Sequence, residues 1–385
     1  ESILASSGID YQYAIKLPLG AKVPIKKRLY NGNFPLCRWD IERTDYGLSQ
    51  GDLWALRTEL QDRVTKNAKG ILVFSDYNKG VYDSLSWASR DDLLSIVDPK
   101  KGPIDKWRGC TIFKPNAQEA EELSGEKDWH KQCDFFRDKL DCTAVIITQG
   151  KHGVFGKVLD DYFEYRPRKE VVAESVVGAG DCFMAFLAMT QAYNMNIFKA
   201  IEIAWDAGAV YVQKKYNSPI APYDLLKYID PIKAKLVNAN FLRKSNRDFK
   251  LVFTNGCFDI MHAGHLTALQ FAKSNGDKLV VAVNSDASVK KIKGENRPIV
   301  PIAERKQLLA SLEVVDFVVD FDDDTPYNVI REIEPDIICK SGDYLKDVPP
   351  DHPKYVVGSD IAEVIIAPYI QGHSTTNIVE RIKNG

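Results

Sequence analysis

Apolar residues along this 385-residue chain gather in two patterns: short runs rich in Val, Ile and Leu, and longer stretches in which they recur at helical spacing. The runs GILVFSD (70–76), LSIVD (94–98) and AVIITQG (144–150) each close on a polar residue or glycine, which predicts buried strands. A second series repeats the design: KLVFTNG (250–256), KLVVAVNSD (278–286), VDFVVDF (315–321), PDIICKSGD (335–343) and AEVIIAPY (362–369). Strands alternating with helices predict an α/β fold with a largely parallel sheet in each series, and the carboxyl ends of such strands line a ligand crevice. The stretch 216–250 carries three prolines and a charged end, which places a linker at 231–248 between domains at 1–230 and 249–385. Residues 23–42 alternate around an Asn-Gly signal and predict a β-hairpin.

Composition changes this picture little. With 45% hydrophobic and 27% charged residues and a net charge of -2, neither a nucleic-acid nor a membrane partner is indicated. The seven cysteines, Cys37, Cys110, Cys133, Cys142, Cys182, Cys257 and Cys339, are scattered and form no CxxC pair, so free thiols in a reducing compartment, the cytoplasm, are expected. No apolar stretch approaches the ~20 residues of a membrane span. The chain does not begin with Met.

Candidate chemistry concentrates in TNGCFDIMHAGH (254–265). The turn leads from a strand into an amphipathic helix, so His262 and His265 stand at a helix N-terminus, where free N–H groups and the helix dipole favour an anion. Their imidazoles would hold a polyphosphate. A metal site or a pair of capping residues are the plainer readings, although the motif holds no glutamate and no third ligand is obvious.

The HxGH pattern resembles the nucleotidyltransferases that join a phosphorylated small molecule to a nucleoside monophosphate. That family carries a late Ser/Thr motif opening a helix, matched by STTNIVERIK (374–383), where Ser374, Thr375 and Thr376 would form a second phosphate cradle. The resemblance also implies Thr254, Asn255, Gly256 and Phe258 as nucleotide- or phosphate-binding residues. Lys291, Lys293, Arg297 and Arg305 supply cations between the cradles; each alone fits a solvated basic face, but their order between HxGH and STT does not. A sugar phosphate is already an anionic nucleophile, so attack on the α-phosphorus of a nucleoside triphosphate needs positioning and charge neutralisation rather than a base. Lys293 joins the histidines as a catalytic candidate, and Asp259 is a candidate for Mg²⁺ or for fixing the histidine geometry.

In the first series, ESVVGAGDCFMAFLAMTQA (174–192) is a Gly-Ala-Gly turn entering an apolar helix. Gly178, Ala179 and Gly180 can aim N–H groups at a phosphoryl group, and Asp181 is placed to take a proton from a sugar hydroxyl. This resembles the signature of ribokinase-like sugar kinases. The resemblance implies Asp76 and Lys79 in SDYNKG (75–80) as substrate-binding residues. It also implies that Asn116 and Glu119 organise Mg²⁺ and phosphate, that TQGKHGVFG (148–156) with Gly150 is a nucleotide loop, and that AWDAGAVYV (204–212) is the helix beside the adenine.

Both domains in this order resemble the bifunctional D-glycero-β-D-manno-heptose 7-phosphate kinase / heptose 1-phosphate adenylyltransferase family of ADP-heptose synthesis. A ribokinase-like domain followed by a Rossmann-like nucleotidyltransferase is therefore expected, using ATP and Mg²⁺ on sugar phosphates. The alternatives are a CTP-dependent polyol-phosphate cytidylyltransferase and a non-catalytic nucleotide-binding scaffold. Two departures stand near the nucleotide site: SGDY (341–344) where the family has a double glycine, and GHSTT where a cysteine precedes STT. The family's opening strand, with its substrate Asp and Gly-Gly lid segment, has no counterpart, so the kinase reads as N-terminally truncated. A homo-oligomer, a dimer, or a partner supplying that segment is expected to cover the exposed sheet edge.

Overall fold

The computed structural model describes residues 70–77, 93–214, 218–342, 344–345 and 348–368, the backbone of a hairpin within 25–41, and the isolated positions Gly51, Trp54 and Thr58. The hairpin is β1 (Ile25–Asn31) and β2 (Phe34–Ile41), paired antiparallel as the Asn-Gly signal predicts. Compactness divides the chain into two units, Glu1–Ile220 and Ala221–Gly385.

In the first unit, β3 (Gly70–Ser75), β4 (Leu93–Asp98), β5 (Ile112–Phe113), β6 (Ala144–Thr148), β7 (Val154–Val158) and β8 (Asp161–Tyr165) form a six-stranded sheet in sequence order. The pairs from β3 to β6 are parallel, whereas β6–β7 and β7–β8 are antiparallel, because their connections are too short for a crossover. Alternate residues feed two cores. Val97, Val145 and Ile147 meet Ala120 of α1 (Ala117–Ser124) and Cys133, Phe136 and Leu140 of α2 (Trp129–Leu140). Ile96, Ala144 and Ile146 meet Phe183 and Leu187 of α3 (Ala179–Ala192) and Ile201 and Ala204 of α4 (Ile197–Val212). Burial on both faces explains the unbroken apolar runs.

The second unit opens with α5 (Pro222–Ile229). It then runs through β9 (Leu251–Gly256), α6 (Ala263–Lys273), β10 (Lys278–Asn284), α7 (Asp286–Lys293), α8 (Ile302–Ser311), β11 (Phe317–Phe321), α9 (Tyr327–Ile333), β12 (Ile337–Ser341) and β13 (Glu363–Ala367). Its five strands are all parallel in the order β11-β10-β9-β12-β13. The chain leaves β9 toward one side and returns to the other, so the crevice at the carboxyl ends of β9 and β12 is the switch point at which such sheets bind ligands.

The segment 231–248 is no free linker. Val237 donates its N–H to the Val318 carbonyl at 3.1 Å, Leu242 is buried against β9 and β11, and the Arg247 guanidinium binds the Ile333 and Glu334 carbonyls. Prolines and charges gave it the look of a linker, but its apolar residues complete a core. Among the described residues no helix is long and apolar enough to cross a membrane. Cys110, Cys133, Cys142, Cys182, Cys257 and Cys339 are free thiols, as expected; Cys37 lies where no side chain is described.

Candidate active sites

In the second unit, β9 delivers Thr254, Asn255 and Gly256 to the switch point. Phe258 turns the chain with a left-handed φ of 49°, and its ring folds back on Gly256, where an added Cβ would stand 3.1 Å from it. The glycine is thus demanded by close packing. His262 is the N-cap of α6, yet its side chain makes no capping hydrogen bond, which removes the capping explanation for this residue. The His262 and His265 rings lie 3.9 Å apart between centroids, and His265 is 5.2 Å from the Phe258 ring. Burial, then the neighbouring His262 and Lys293, push the His265 imidazole down to about 4, so it is neutral at physiological pH. Its Nδ1 is buried with no hydrogen-bond partner among the described residues.

Two readings of the surrounding charges need correction. Asp259 is not an open metal ligand: Oδ1 accepts from the Ile299 and Val300 N–H groups at 2.7 and 3.0 Å, and Oδ2 from Arg297 Nη1 at 2.5 Å. These bonds hold its carboxyl below the usual range and tie the 297–300 loop to the histidine turn. Arg297 is correspondingly a partner of Asp259 rather than a free phosphate ligand. Arg305 is wholly buried and braces the scaffold, donating to the carbonyls of Val300, Cys257 and Asn284 and to the Asp286 carboxylate. Lys291 pairs with Asp324, whereas Lys293 makes no ion pair among the described residues and its charge reaches His265. Ser374, Thr375 and Thr376 lie outside the described residues.

In the first unit, Gly178 caps α3 with a φ of 85°, and a Cβ there would meet the Tyr211 hydroxyl at 2.7 Å. The turn of Gly178, Ala179 and Gly180 therefore presents bare backbone at the helix N-terminus, with Asp181 exposed in its first turn. Gly150 opens a short turn after β6 with a φ of 52° and open space around it. Asn116 and Glu119 form a capping box at α1: Asn116 Oδ1 accepts from the Glu119 N–H and Glu119 Oε2 from the Asn116 N–H, both at 2.9 Å. The other Glu119 oxygen binds Lys100, so neither residue offers an unengaged oxygen to Mg²⁺. Asp76 is buried on Lys106 (2.8 Å) and Trp107 (3.2 Å), a buttress at the end of β3, and Lys79 lies outside the described residues.

Two lysines were missed by the sequence reading. Lys114, at the end of β5, is buried, paired with Asp98 at 2.8 Å, and its Nζ sits 3.7 Å from the position of a Cβ on Gly180. The signal was its place at a strand end, two residues before Asn116. Lys340 is the penultimate residue of β12 and binds the Asn255 side-chain oxygen. Among the described residues no three His, Cys, Asp or Glu side chains cluster as metal ligands. The side chains named for Mg²⁺, Glu119 and Asp259, do not fit a direct ligand role.

Two family models match the chain: pfkB family carbohydrate kinase over residues 76–222 and Cytidylyltransferase-like over 253–381. Bifunctional protein HldE of Campylobacter jejuni subsp. doylei is 38% identical over 384 residues, covering 95% of this chain and 79% of that protein. Bifunctional protein HldE of Nitratiruptor sp. is 38% identical over 345 residues, covering 84% and 72%. Among solved structures, a ribokinase from Thermotoga maritima superposes with a TM-score of 0.43 at 23% identity, over 50% of this chain and 65% of the other. Kinases and nucleotidyltransferases of these kinds generally use ATP and Mg²⁺.

Proposed function

This chain belongs to the bifunctional HldE family and is an enzyme with a carbohydrate-kinase and a nucleotidyltransferase domain, and we propose that it builds ADP-heptose in two steps. In the first, the hydroxyl at O1 of heptose 7-phosphate gives its proton to Asp181 and its oxygen takes the γ-phosphoryl group of ATP, releasing ADP. The Gly178–Gly180 backbone and Lys114 receive the phosphoryl charge. In the second, a phosphate oxygen of heptose 1-phosphate attacks the α-phosphorus of ATP, the bond to the β-phosphate breaks, and pyrophosphate leaves. No proton moves. Lys293 neutralises charge on the transition state while the His262 and neutral His265 imidazoles donate hydrogen bonds to it, and Mg²⁺ would supply further neutralisation when bound with ATP.

The observation that carries this reading is the buried, unpartnered His265 Nδ1 at the helix N-terminus of a switch-point crevice. The free thiols among the described residues suit work in the reducing cytoplasm. Phosphorus NMR of the purified chain with ATP, Mg²⁺ and heptose 1-phosphate tests the reading: pyrophosphate and ADP-heptose are expected, and ATP should be used in preference to CTP. Pyrophosphate forming only from CTP would overturn the substrate assignment. A parallel tube with heptose 7-phosphate should give the 1,7-bisphosphate and ADP.

A further inference from the structure

Lys340 is a buried ammonium with no carboxylate partner among the described residues. It is the penultimate residue of β12, beside the carboxyl end of β9, is 9% exposed, and gives its hydrogen bond to the Asn255 side-chain oxygen, with its Nζ 5.3 Å from the centre of the Tyr344 ring. Among the described residues the titratable groups that face it, besides Tyr344, are the Cys257 and Cys339 thiols, and burial pushes both thiols up, so neither is an anion at neutral pH. Cys257 in turn feels Lys293, and Lys293 acts on His265, so the charges of Lys293 and Lys340 both bear on the turn that follows β9.

An ammonium carries three donors and a full charge, and taking it out of water without an anion is costly. A neutral amide oxygen answers one donor and none of the charge. Such a cation at the mouth of a switch-point crevice is explained when the ligand brings the missing negative charge.

We propose that Lys340 contacts substrate in adenylyl transfer, its ammonium binding a phosphate oxygen of the nucleotide or the sugar phosphate in the β9–β12 crevice. The proposal rests on the adenylyltransferase reading above. Burial also depresses Lys340 to about 8, so in the free enzyme it loses its proton just above neutrality, which gives the contact a signature that a purely structural bond to Asn255 would lack.

The test uses the full chain and its Lys340→Met and Lys340→Arg variants. Pyrophosphate release is followed with ATP and heptose 1-phosphate varied in turn from about pH 6.5 to 9.5, and circular dichroism with a urea melt of each preparation reports folding. Lys340→Met should lower kcat/KM for adenylyl transfer by about 30- to 100-fold, and Lys340→Arg should recover part of the loss. The unaltered chain should show kcat/KM falling above about pH 8, a limb absent from Lys340→Met. Whichever KM rises assigns the phosphate to the nucleotide or to the sugar. Activity of Lys340→Met within about threefold of the unaltered chain, with the same alkaline limb, overturns the proposal. Should the variants fold poorly, the unaltered chain decides alone: a limb near pH 8 supports the contact and its absence overturns it. No pyrophosphate from the unaltered chain at any pH sinks the adenylyltransferase reading, and this proposal with it.

Discussion

The two turns that we propose to handle phosphate differ in how their charges are balanced. Beside the Gly178–Gly180 turn the buried cation is already paired: Lys114 binds Asp98. Around the histidine turn the cations are not, since neither Lys293 nor Lys340 has a carboxylate partner among the described residues and His265 is held neutral. The difference follows from the nucleophile. A sugar hydroxyl needs a base, so the first turn keeps an exposed carboxylate, Asp181, and a cation that does not compete for it. A sugar phosphate arrives already charged, so the second turn keeps positive charge in reserve and no base.

The sharpest way to break this comparison is to remove each turn's distinctive group and assay both reactions. Asp181→Asn should lower kinase turnover by about 10³-fold and leave adenylyl transfer unchanged. His265→Ala should do the converse, lowering adenylyl transfer by about 10²–10³-fold. Loss of both activities from either variant would mean that the two chemistries are not separable.

A smaller effect sharpens the account of the second turn. Asp259→Asn removes the charge that gathers Arg297 and the 299–300 N–H groups, so the loop should loosen. About tenfold lower adenylyl transfer and on the order of 3 kcal/mol less stability are expected, read from turnover and urea melts of the same preparation.

The smallest effect is in acid. His265 holds its proton only below about 4 when folded, against ~6.5 unfolded, so between those values the unfolded chain binds more protons. Stability should therefore fall as pH drops from about 6.5 to about 4, by on the order of 2 kcal/mol after allowing for partial solvent access, and be untouched above that window. His265→Asn should flatten this dependence in melts followed across the same range.

What could be read from the sequence and what could not divide along a physical line. The strand ends, the glycine-demanding turns and the placing of the histidines on a helix N-terminus are local, and β9 with TNGCFDIMHAGH carried them intact. The partners of charged groups are not local. Asp259 reads as a ligand until Arg297 and Val300, distant in sequence, fold onto it, and Glu119 reads the same way until Lys100 does. Lys340 was overlooked because a lysine at the end of an apolar run looks like a strand emerging into solvent, when in fact Asn255 and Tyr344 enclose it. The proline-marked segment before β9 misled in the reverse direction, since only the tertiary fold shows that Val237 and Leu242 have a sheet to pack on.

The Arg305 brace has an evolutionary corollary. One guanidinium serves the carbonyls of Cys257 and Val300, in two connecting segments, and of Asn284 at the end of β10, so the three positions depend on one another. A loop grafted from a relative whose carbonyls point elsewhere would strand a buried charge, and lysine, with its compact head and round geometry, could not span the same acceptors. Swaps among these segments should therefore be strongly non-additive, tolerated together and damaging one at a time.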